Sequence, residues 1–181
     1  MNEYEATKYK FAESLKELME KQSLDKITVT DIVKRSGKTR QTFYRNFKDK
    51  YDLVNWYFEK LADKSFRQIS NSYTLKEGLT KKFTFLLNDK IFFTEAFKSK
   101  DYNNVENYDY QCILEFYSNI IKKKIGTIPI DIQFLLEMYC HGSITMTVDW
   151  ALSGMKLSPE EISDLLISAL PKKLEELLSD L

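Results

Sequence analysis

Side chains that can read nucleic-acid bases are concentrated in one short stretch of this sequence, residues 38–45. Lysine and arginine pair with guanine, glutamine pairs with adenine through two hydrogen bonds, and a threonine methyl group contacts the methyl group of thymine. The candidate base-reading residues are Lys38, Thr39, Arg40, Gln41, Thr42 and Arg45. These residue types at this density predict a surface that enters a groove of DNA.

The spacing of the neighbouring aromatic residues predicts the helix that would present these side chains. At 3.6 residues per turn, Phe43 and Phe47 fall on one helical face, whereas Gln41, Thr42 and Arg45 point away from it. We therefore expect the two phenylalanines to anchor the helix from behind and the polar residues to face outward.

A second short helix precedes this one, and a tight turn joins the two. It would begin after Thr28 or Thr30, whose hydroxyls can accept hydrogen bonds from the free backbone N–H groups of a first turn. Gly37 follows its last residue and can adopt the left-handed backbone conformation that other residues resist. Thr39 would then cap the next helix. Two short helices joined in this way are typical of a helix-turn-helix unit, although a charged helical hairpin has the same pattern.

The following helix is expected to start at Asp49, with Lys50 in its first turn. A cation is unfavourable at the positive end of a helix dipole, so Lys50 is better explained if a DNA phosphate lies nearby. Phosphate contacts set the register on DNA without reading its sequence. The residues expected to make them are Thr28, Thr30, Tyr44 and Lys50, with Lys48 as a further candidate. Arg40 lies on the same flank of the helix as Tyr44, where its guanidinium could reach a phosphate as well as a base.

Residues 28–53 resemble a known family. The run T-V-x-D-I-x-K-R-S-G-x-T-R-Q-T-F-Y-R-N-F-K-D-K-x-D-L is similar, nearly position for position, to the N-terminal signature of the TetR family of bacterial transcription regulators. The resemblance implies a homodimer on an inverted-repeat operator, because a two-fold symmetric protein matches a two-fold symmetric DNA site. It also implies a regulator that responds to an effector, and because the family consists mostly of repressors, a repressor is expected.

Charge is unevenly distributed along the 181 residues. The chain holds 27 Lys and Arg and 27 Asp and Glu, so its formal net charge is zero, which argues against a polycation that coats nucleic acid. Residues 1–50 alone hold 12 Lys and Arg against 8 Asp and Glu. The basic excess therefore lies in the segment expected to bind DNA.

The cysteine content and the first residues indicate the compartment. Cys112 and Cys140 are too few and too far apart for a disulfide scaffold or a redox motif, which fits a reducing environment. The N-terminal residues are charged instead of apolar, and no apolar run approaches the length that crosses a bilayer. A cytoplasmic protein without membrane contact is expected.

Hydrophobic periodicity predicts helices throughout the chain, and no strand pattern is present. We expect an all-α fold of about nine helices, with a three-helix DNA-binding bundle followed by a helical effector and dimerisation domain. Besides the two short helices, the predicted helices span residues 5–21, 49–70, 75–88, 91–100, 105–124, 130–153 and 159–178.

Two domains are expected. Residues 1–50, completed by the start of the helix at 49–70, would form the DNA-binding domain, and residues 51–181 would form the ligand-binding and dimerisation domain. The polar residues 70–74 mark the break that follows this helix. The helix itself is apolar on several faces, so we expect it to lie between the two domains and to link them.

The last two predicted helices also resemble the C-terminal region of TetR-type regulators, in which they pair with a second subunit. The resemblance rests on Tyr139, Gly142, the run Trp150-Ala151-Leu152, Gly154 and the run Ser158-Pro159-Glu160-Glu161. Small residues such as Gly142 would let helices approach closely, so a homodimer through these helices is expected. Within the family, residues 89–97 are similar to the branch of regulators that resembles the dihydroxyacetone kinase activator.

Nine residues of the C-terminal part are candidates for the lining of an effector pocket: Phe93, Phe97, Tyr110, Phe116, Tyr117, Phe134, Met138, His141 and Met146. Aromatic residues at helical spacing are core residues more often than ligand contacts. The single histidine is likewise more often a hydrogen-bonded interior or interface residue.

Two other classes of function compete with this interpretation. An enzyme is disfavoured because the sequence has one histidine, no glycine-rich phosphate loop, no paired cysteines and no nucleophile motif; no catalytic site, metal site or cofactor is predicted. The other class is an activator or adaptor whose C-terminal domain binds a partner protein. A filled bundle with an exposed apolar groove would favour the partner protein, whereas a large interior cavity would favour a small molecule.

Overall fold

Helices make up the regular structure of this protein in the computed structural model, which describes residues 3–69 and 72–178. The ten α-helices of this part are α1 (Glu3–Met19), α2 (Val29–Ser36), α3 (Arg40–Asn46), α4 (Lys50–Asp63), α5 (Leu75–Asn88), α6 (Lys90–Phe97), α7 (Val105–Ile125), α8 (Ile130–Leu152), α9 (Pro159–Ser168) and α10 (Lys172–Leu177). Short 3-10 turns lie at Leu24–Lys26 and Phe66–Gln68. An isolated bridge between Ile69 and Tyr73 is the only strand-like pairing in the two described ranges, so the predicted all-α fold is confirmed. Within the same ranges, no helix has both the length and the apolar character needed to span a bilayer.

Threonine side chains begin both short helices. The Thr28 hydroxyl accepts a hydrogen bond from the Asp31 N–H at 3.2 Å, and the Asp31 carboxylate accepts one from the Thr28 N–H at 2.9 Å. Of the two caps that the sequence allowed, Thr28 is therefore the one used, and Thr30 lies in the first turn of α2. Gly37 ends α2 with a φ of 66°, and Thr39 caps α3. The helix-turn-helix thus follows from short-range hydrogen bonds and one permissive glycine.

α1 packs across the two short helices and covers the aromatic face of α3. Phe11 contacts Phe43 and Phe47 at ring-centroid distances of 5.2 and 6.4 Å. All three rings are buried, and Phe47 also contacts Trp56 of α4 at 5.7 Å. The predicted anchoring of α3 by its two phenylalanines is confirmed. We call α1–α3 with the start of α4 the head.

α4 lies between the head and the remaining helices. Trp56 contacts Phe47 on the side of the head. On the other side, Tyr57 and Phe58 each contact Phe93 of α6 at a ring-centroid distance of 6.3 Å. The position predicted for this helix, between the head and the C-terminal part, is the position observed.

α4 is shorter than predicted. It ends at Asp63 instead of continuing through residue 69, and Ser70, where the predicted helix ended, lies outside the described residues. A 3-10 turn replaces the last helical turns and buries Phe66 and Ile69 against α5. α5 has Gly78 at this contact, where a Cβ atom would lie 2.7 Å from Ile69 Cδ1. The close approach of these two segments, which the sequence does not reveal, favours the turn over a straight helix.

The predicted final helix, residues 159–178, is wrong as a single element. The structure has α9 followed by α10, with Pro171 between them. Proline has no N–H to donate and disfavours helical geometry at the residue before it, Leu170, so an uninterrupted helix is unfavourable at this point. The start of α9 is as predicted: Ser158 caps it, and Pro159 occupies the first helical position. The additional break gives ten helices in the described part instead of about nine.

An ion pair is enclosed in the bundle formed by α5–α10. Lys82 of α5 donates to both carboxylate oxygens of Asp109 of α7, at 2.7 and 2.6 Å. The two side chains are 6% and 0% exposed. Burial raises the pKa of Asp109, and the charge of Lys82 opposes that shift. Each charge is therefore tolerated in the interior only because the other is present.

Candidate nucleic-acid interface

α3 presents its polar residues to solvent. Gln41, Tyr44 and Arg45 are exposed, Thr42 is half-buried, and Phe43 faces the interior. The orientation that the periodicity predicts for this helix is the one the structure has.

Three side chains of this surface are free to bind. Lys38, Gln41 and Arg45 are exposed, and none of their side chains forms a hydrogen bond, ion pair or ring contact with another residue in ranges 3–69 and 72–178. Their cationic and amide groups match the acceptors that guanine and adenine expose in the major groove. Their donors are therefore available to a ligand in exchange for water.

Arg40 differs from these three because its guanidinium has partners. Nη1 donates to Thr30 Oγ1 of α2 at 3.0 Å, and Nη2 lies 3.5 Å from the Tyr44 hydroxyl. The guanidinium carbon lies 5.9 Å from the centre of the Tyr44 ring. Three of the predicted contact residues are thus joined into one cluster on the surface shared by α2 and α3.

The remaining threonines of the interface have local partners. The Thr28 hydroxyl lies 2.6 Å from the Asp31 carboxylate, and hydrogen bonds from Thr28 lower the pKa of Asp31. The hydroxyls of Thr39 and Thr42 lie 2.9 Å apart. These side chains shape the two helix starts, and each hydroxyl oxygen keeps some capacity for a further contact.

Lys50 has a structural partner where the sequence suggested a phosphate. Its ammonium donates to the backbone carbonyls of Leu24, Asp25 and Ile27, each at 2.8 Å. Burial lowers the pKa of Lys50, and the charge of Asp25 opposes this. The cation at the start of α4 is thus explained by the free carbonyls of the preceding 3-10 turn, and all three of its N–H groups are used.

A polar joint that the sequence analysis missed connects the head to the C-terminal part. Lys16 of α1 donates to the Tyr57 hydroxyl at 2.7 Å and to the Asp89 carboxylate at 2.9 Å. Tyr57 in turn donates to Asp89 at 2.6 Å. Burial lowers the pKa of Lys16, but these hydrogen bonds outweigh it and leave the pKa above its ordinary value. Burial and the bond to Asp89 raise the pKa of Tyr57 to about 12. Asp89 begins the segment singled out in the sequence, but its partner Lys16 lies 73 positions away.

A second joint lies at the other end of α6. Ser99 donates to the Asp25 carboxylate at 2.7 Å, and the Tyr51 hydroxyl donates to the same oxygen at 3.1 Å. The Asn55 side chain donates to the Asn103 carbonyl at 3.0 Å. The residues that flank α6, Asp89 and Ser99, are therefore hydrogen-bonded to α1 and α4 and to the 3-10 turn before α2, and the loop before α7 is bonded to α4.

Replacing Asp89 by asparagine is expected to lower the free energy of unfolding by about 1.5 kcal/mol, because the amide has no charge to pair with Lys16 and one acceptor oxygen in place of two. The value is at the low end of the usual range because the Asp89 side chain is 25% exposed. Urea unfolding checks it, and Asp164→Asn, which alters an exposed pair with Lys76, is the control expected to show no measurable change. Equal stability of Asp89→Asn and the unmodified protein would show that the joint contributes nothing.

The nine candidate pocket residues do not surround one described cavity. Three of them are buried, namely Phe93, Phe97 and Tyr117, and two are partly buried, namely Tyr110 and Phe116. The other four are exposed on α8: Phe134, Met138, His141 and Met146. The structure does bring some of them together in pairs, and the rings of Tyr110 and His141 stack at a centroid distance of 4.0 Å. The periodicity of α8 could not separate inner from outer positions because apolar residues are distributed around the whole helix.

The large apolar space of the C-terminal part is a surface groove. It measures about 370 Å³ and lies between α8 and α9, where Trp150, Leu157, Ile162 and Leu165 contribute to its walls together with Met146. The interior cavity beside Lys82, which the ring of Tyr117 helps to line, is only about 20 Å³. In ranges 3–69 and 72–178, no group of three or more His, Cys, Asp or Glu side chains is arranged to hold a metal ion.

Comparison with known proteins gives two family matches. Residues 13–56 match the family described as bacterial regulatory proteins, tetR family. Residues 73–172, more than half of the chain, match the family described as transcriptional regulator C-terminal region.

A curated relative gives a partial alignment. The chain is similar to the HTH-type dhaKLM operon transcriptional activator DhaS of Lactococcus lactis subsp. lactis (strain IL1403), with 29% identity over 86 residues. The alignment covers 48% of this chain and 46% of the relative, so the chain spans about half the length of that protein.

Two solved structures share the fold over nearly the whole chain. The dihydroxyacetone kinase operon activator DhaS has 21% identity and a TM-score of 0.67, with 94% of this chain and 97% of the other covered. The transcriptional regulator FadR from Bacillus subtilis, solved in complex with stearoyl-CoA, has 19% identity and a TM-score of 0.58, with 96% and 98% covered. Identities at this level indicate a common architecture of head and helical bundle.

Proposed function

This chain belongs to the TetR family of bacterial transcriptional regulators, and we propose that it binds an inverted-repeat DNA operator as a homodimer. The matched families consist of transcriptional regulators, so the chain is a regulator and not an enzyme. The observation that carries the proposal is the exposure of Gln41 and Arg45 on a helix anchored from behind by two buried phenylalanines.

The proposed DNA contacts fall into base contacts and phosphate contacts, according to which hydrogen-bonding groups of each side chain are available. Lys38, Gln41 and Arg45 would read base edges, because their donors have no partners within the described part of the chain. Arg40 would read bases as well, and Thr39 and Thr42 would contribute through their methyl groups. Phosphate contacts would come from the exposed Thr28, Thr30 and Tyr44, whereas Lys50 would act indirectly by fixing the 3-10 turn beneath α2.

The proposed functions are assigned to two consecutive parts of the chain. Residues 1–50 with the start of α4 would bind DNA, and residues 51–181 would carry the effector response and the dimer contact. α4 and the two polar joints of α6 would transmit changes between them, because they contact both parts. An effector would then need only to favour a different spacing of the two heads.

The dimer contact is proposed to lie on α8 and α9. The outer face of α8 exposes Ile130, Phe134, Met138 and Met146. The apolar groove between α8 and α9 adjoins this face. Gly142 is exposed on the same helix with open space beside it, so another helix could approach closely. A second copy would bury this surface, which supports assigning Phe134, Met138, His141 and Met146 to the interface instead of to a pocket.

The regulatory outcome proposed first is repression relieved by a small-molecule effector. The solved relative FadR was determined with stearoyl-CoA bound, which supports the class of mechanism without indicating the ligand of this chain. The second candidate is an activator or adaptor whose C-terminal part binds a partner protein. Two observations favour it: the curated relative is named a transcriptional activator, and the large apolar space lies on the surface. Transcription in vitro from a promoter carrying the selected operator separates the two, because added protein lowers or raises transcript.

Selection of bound duplexes from a random pool tests the proposed function. The unmodified protein is expected to enrich an inverted repeat. Gln41→Ala and Arg45→Ala should each lose about 1–3 kcal/mol of discrimination at a base pair of each half-site, because each removes donors aimed at a base edge. Binding constants for the selected operator and its single-base variants give the measurement.

Lys123→Ala is the control for Arg45→Ala, since it removes one exposed positive charge from the end of α7, away from the head. It should keep the same operator preference. A pool that yields no inverted repeat, or Gln41 and Arg45 variants that keep full discrimination, would overturn the assignment of α3 as the reading helix.

A further inference from the structure

Arg40 is the cation of the proposed reading surface whose side chain has hydrogen-bond partners before DNA arrives. Its Nη1 donates to Thr30 Oγ1 at 3.0 Å, and its guanidinium lies beside Tyr44. Lys38 and Arg45 have no comparable partner in the described residues. A long side chain that is already ordered loses less conformational entropy when it forms a specific contact.

The geometry leaves the guanidinium capable of reading a base. A guanidinium has five N–H donors, and the bonds to Thr30 and Tyr44 use two of them. The remaining three are enough for a bidentate contact with the O6 and N7 atoms of guanine. The bond to Thr30 also limits the directions in which these donors can point, and bidentate recognition depends on direction.

The Thr30 hydroxyl does not cap a helix. The start of α2 is already capped by Thr28 and Asp31, so the Thr30 hydroxyl is not needed there. Thr30 is exposed, and its bond with Arg40 is the only side-chain hydrogen bond of its hydroxyl to another residue in the described ranges. This bond joins α2 to the first residue of α3, across the turn at Gly37.

We propose that Thr30 is a positioning residue: beyond the phosphate contact proposed above, its hydroxyl oxygen holds the Arg40 guanidinium in the orientation that reads one guanine in each half-site. This inference rests on the proposed DNA-binding function and specifies it. Thr30 would then determine sequence preference without touching a base, and its contribution to that preference would depend entirely on Arg40.

A double-mutant cycle tests the inference. Thr30→Val keeps the shape of the side chain but removes the acceptor, Thr30→Ser keeps the acceptor, and Arg40→Ala removes the reading group. The duplex selected from the random pool and its single-base variants serve as probes, with dissociation constants measured at several salt concentrations.

Arg40→Ala is expected to reduce discrimination at one position of the half-site by about 5- to 150-fold. Thr30→Val should reduce discrimination at that same position by about 3- to 10-fold, which is the size of a moderate coupling between neighbouring side chains. Thr30→Ser should restore it. In the Arg40→Ala background, Thr30→Val should have no further effect on sequence preference.

Two other outcomes would show that Thr30 does not position Arg40 for base reading. If Thr30→Val weakens binding to every duplex by the same factor and adds to Arg40→Ala, Thr30 acts on phosphate alone and the inference is wrong. It is also wrong if Arg40→Ala leaves all preferences intact and only reduces the salt dependence, because Arg40 would then contact phosphate. These failures leave the enriched inverted repeat and the losses caused by Gln41→Ala and Arg45→Ala in place, whereas failure of the proposed function removes one or the other.

Discussion

Replacing Lys82 by methionine is expected to lower the free energy of unfolding by about 3–5 kcal/mol, because it leaves the buried Asp109 carboxylate without its counter-ion. The Asp109 side chain is fully buried, and Lys82 is its hydrogen-bond partner through both oxygens. Methionine has a similar length, so the loss of charge outweighs the change in packing. Urea unfolding at pH 7 gives the measurement.

The loss caused by Lys82→Met should shrink as the pH falls. Burial raises the pKa of Asp109 and Lys82 opposes this, so the variant has an Asp109 pKa further above its value in the unfolded chain. Between these two pKa values the folded variant holds a proton that the unfolded chain has released. Stability therefore falls as pH rises through this interval, by up to about 1.4 kcal/mol per pH unit. Unfolding at pH 5 and pH 7 tests the sign.

Two variants control this prediction. Lys82→Met combined with Asp109→Leu removes both charges and should recover much of the stability, since an apolar replacement of a buried pair is often neutral or better. Lys173→Met breaks an ion pair with Asp131 of the same 2.6 Å length but with side chains 60% and 53% exposed, and should leave stability unchanged. A Lys82→Met protein as stable as the unmodified one at pH 7 would show that the interior accommodates an isolated carboxylate.

Replacing Leu165 by glutamate is expected to convert the proposed dimer to monomers and to weaken operator binding by about 10²–10⁴-fold, because the two heads would no longer bind as one tethered pair. Leu165 is 59% exposed on the wall of the groove between α8 and α9. Because a two-fold interface contains the same surface of both subunits, this one substitution would bury two carboxylates in it. Sedimentation and binding to full and half operators give the two measurements.

Ile91→Glu provides the matched control for Leu165→Glu. Ile91 is 55% exposed, but it lies at the start of α6 beside Lys16, outside the groove between α8 and α9. It introduces the same charge and should leave both the mass and the operator affinity unchanged. A Leu165→Glu protein that still sediments as a dimer would place the subunit contact elsewhere.

Helix starts could be predicted from the sequence because they depend on near neighbours. Thr39 and Ser158 cap helices through bonds to residues three positions on, and such bonds are visible in the residue pattern. The end of α4 could not be predicted in this way, since it depends on the contact of Ile69 with Gly78 in another helix. Pro171 was visible, but the regular leucine spacing around it favoured one uninterrupted helix.

In the candidate site too, features set by near neighbours could be predicted and features set by long-range contacts could not. The outward face of α3 follows from the spacing of Phe43 and Phe47 alone, and periodicity was sufficient to predict it. The bond of Arg40 to Thr30 spans 10 positions and that of Lys16 to Asp89 spans 73, so neither has a local signal. Long-range polar contacts of this kind decide which of the predicted side chains remain free.

The buried apolar residues form one uninterrupted cluster, from Phe11 in α1 to Leu178 after α10. α4 contributes to both sides of it, so neither the head nor the bundle has a core that is complete by itself. Cooperative unfolding of such a chain involves all of its helices at once. Through thermodynamic linkage, free operator at a concentration of 100 times its dissociation constant would add about 2.7 kcal/mol to the free energy of unfolding of the whole molecule. A ligand bound at α3 in the head would thereby protect α9 in the C-terminal part.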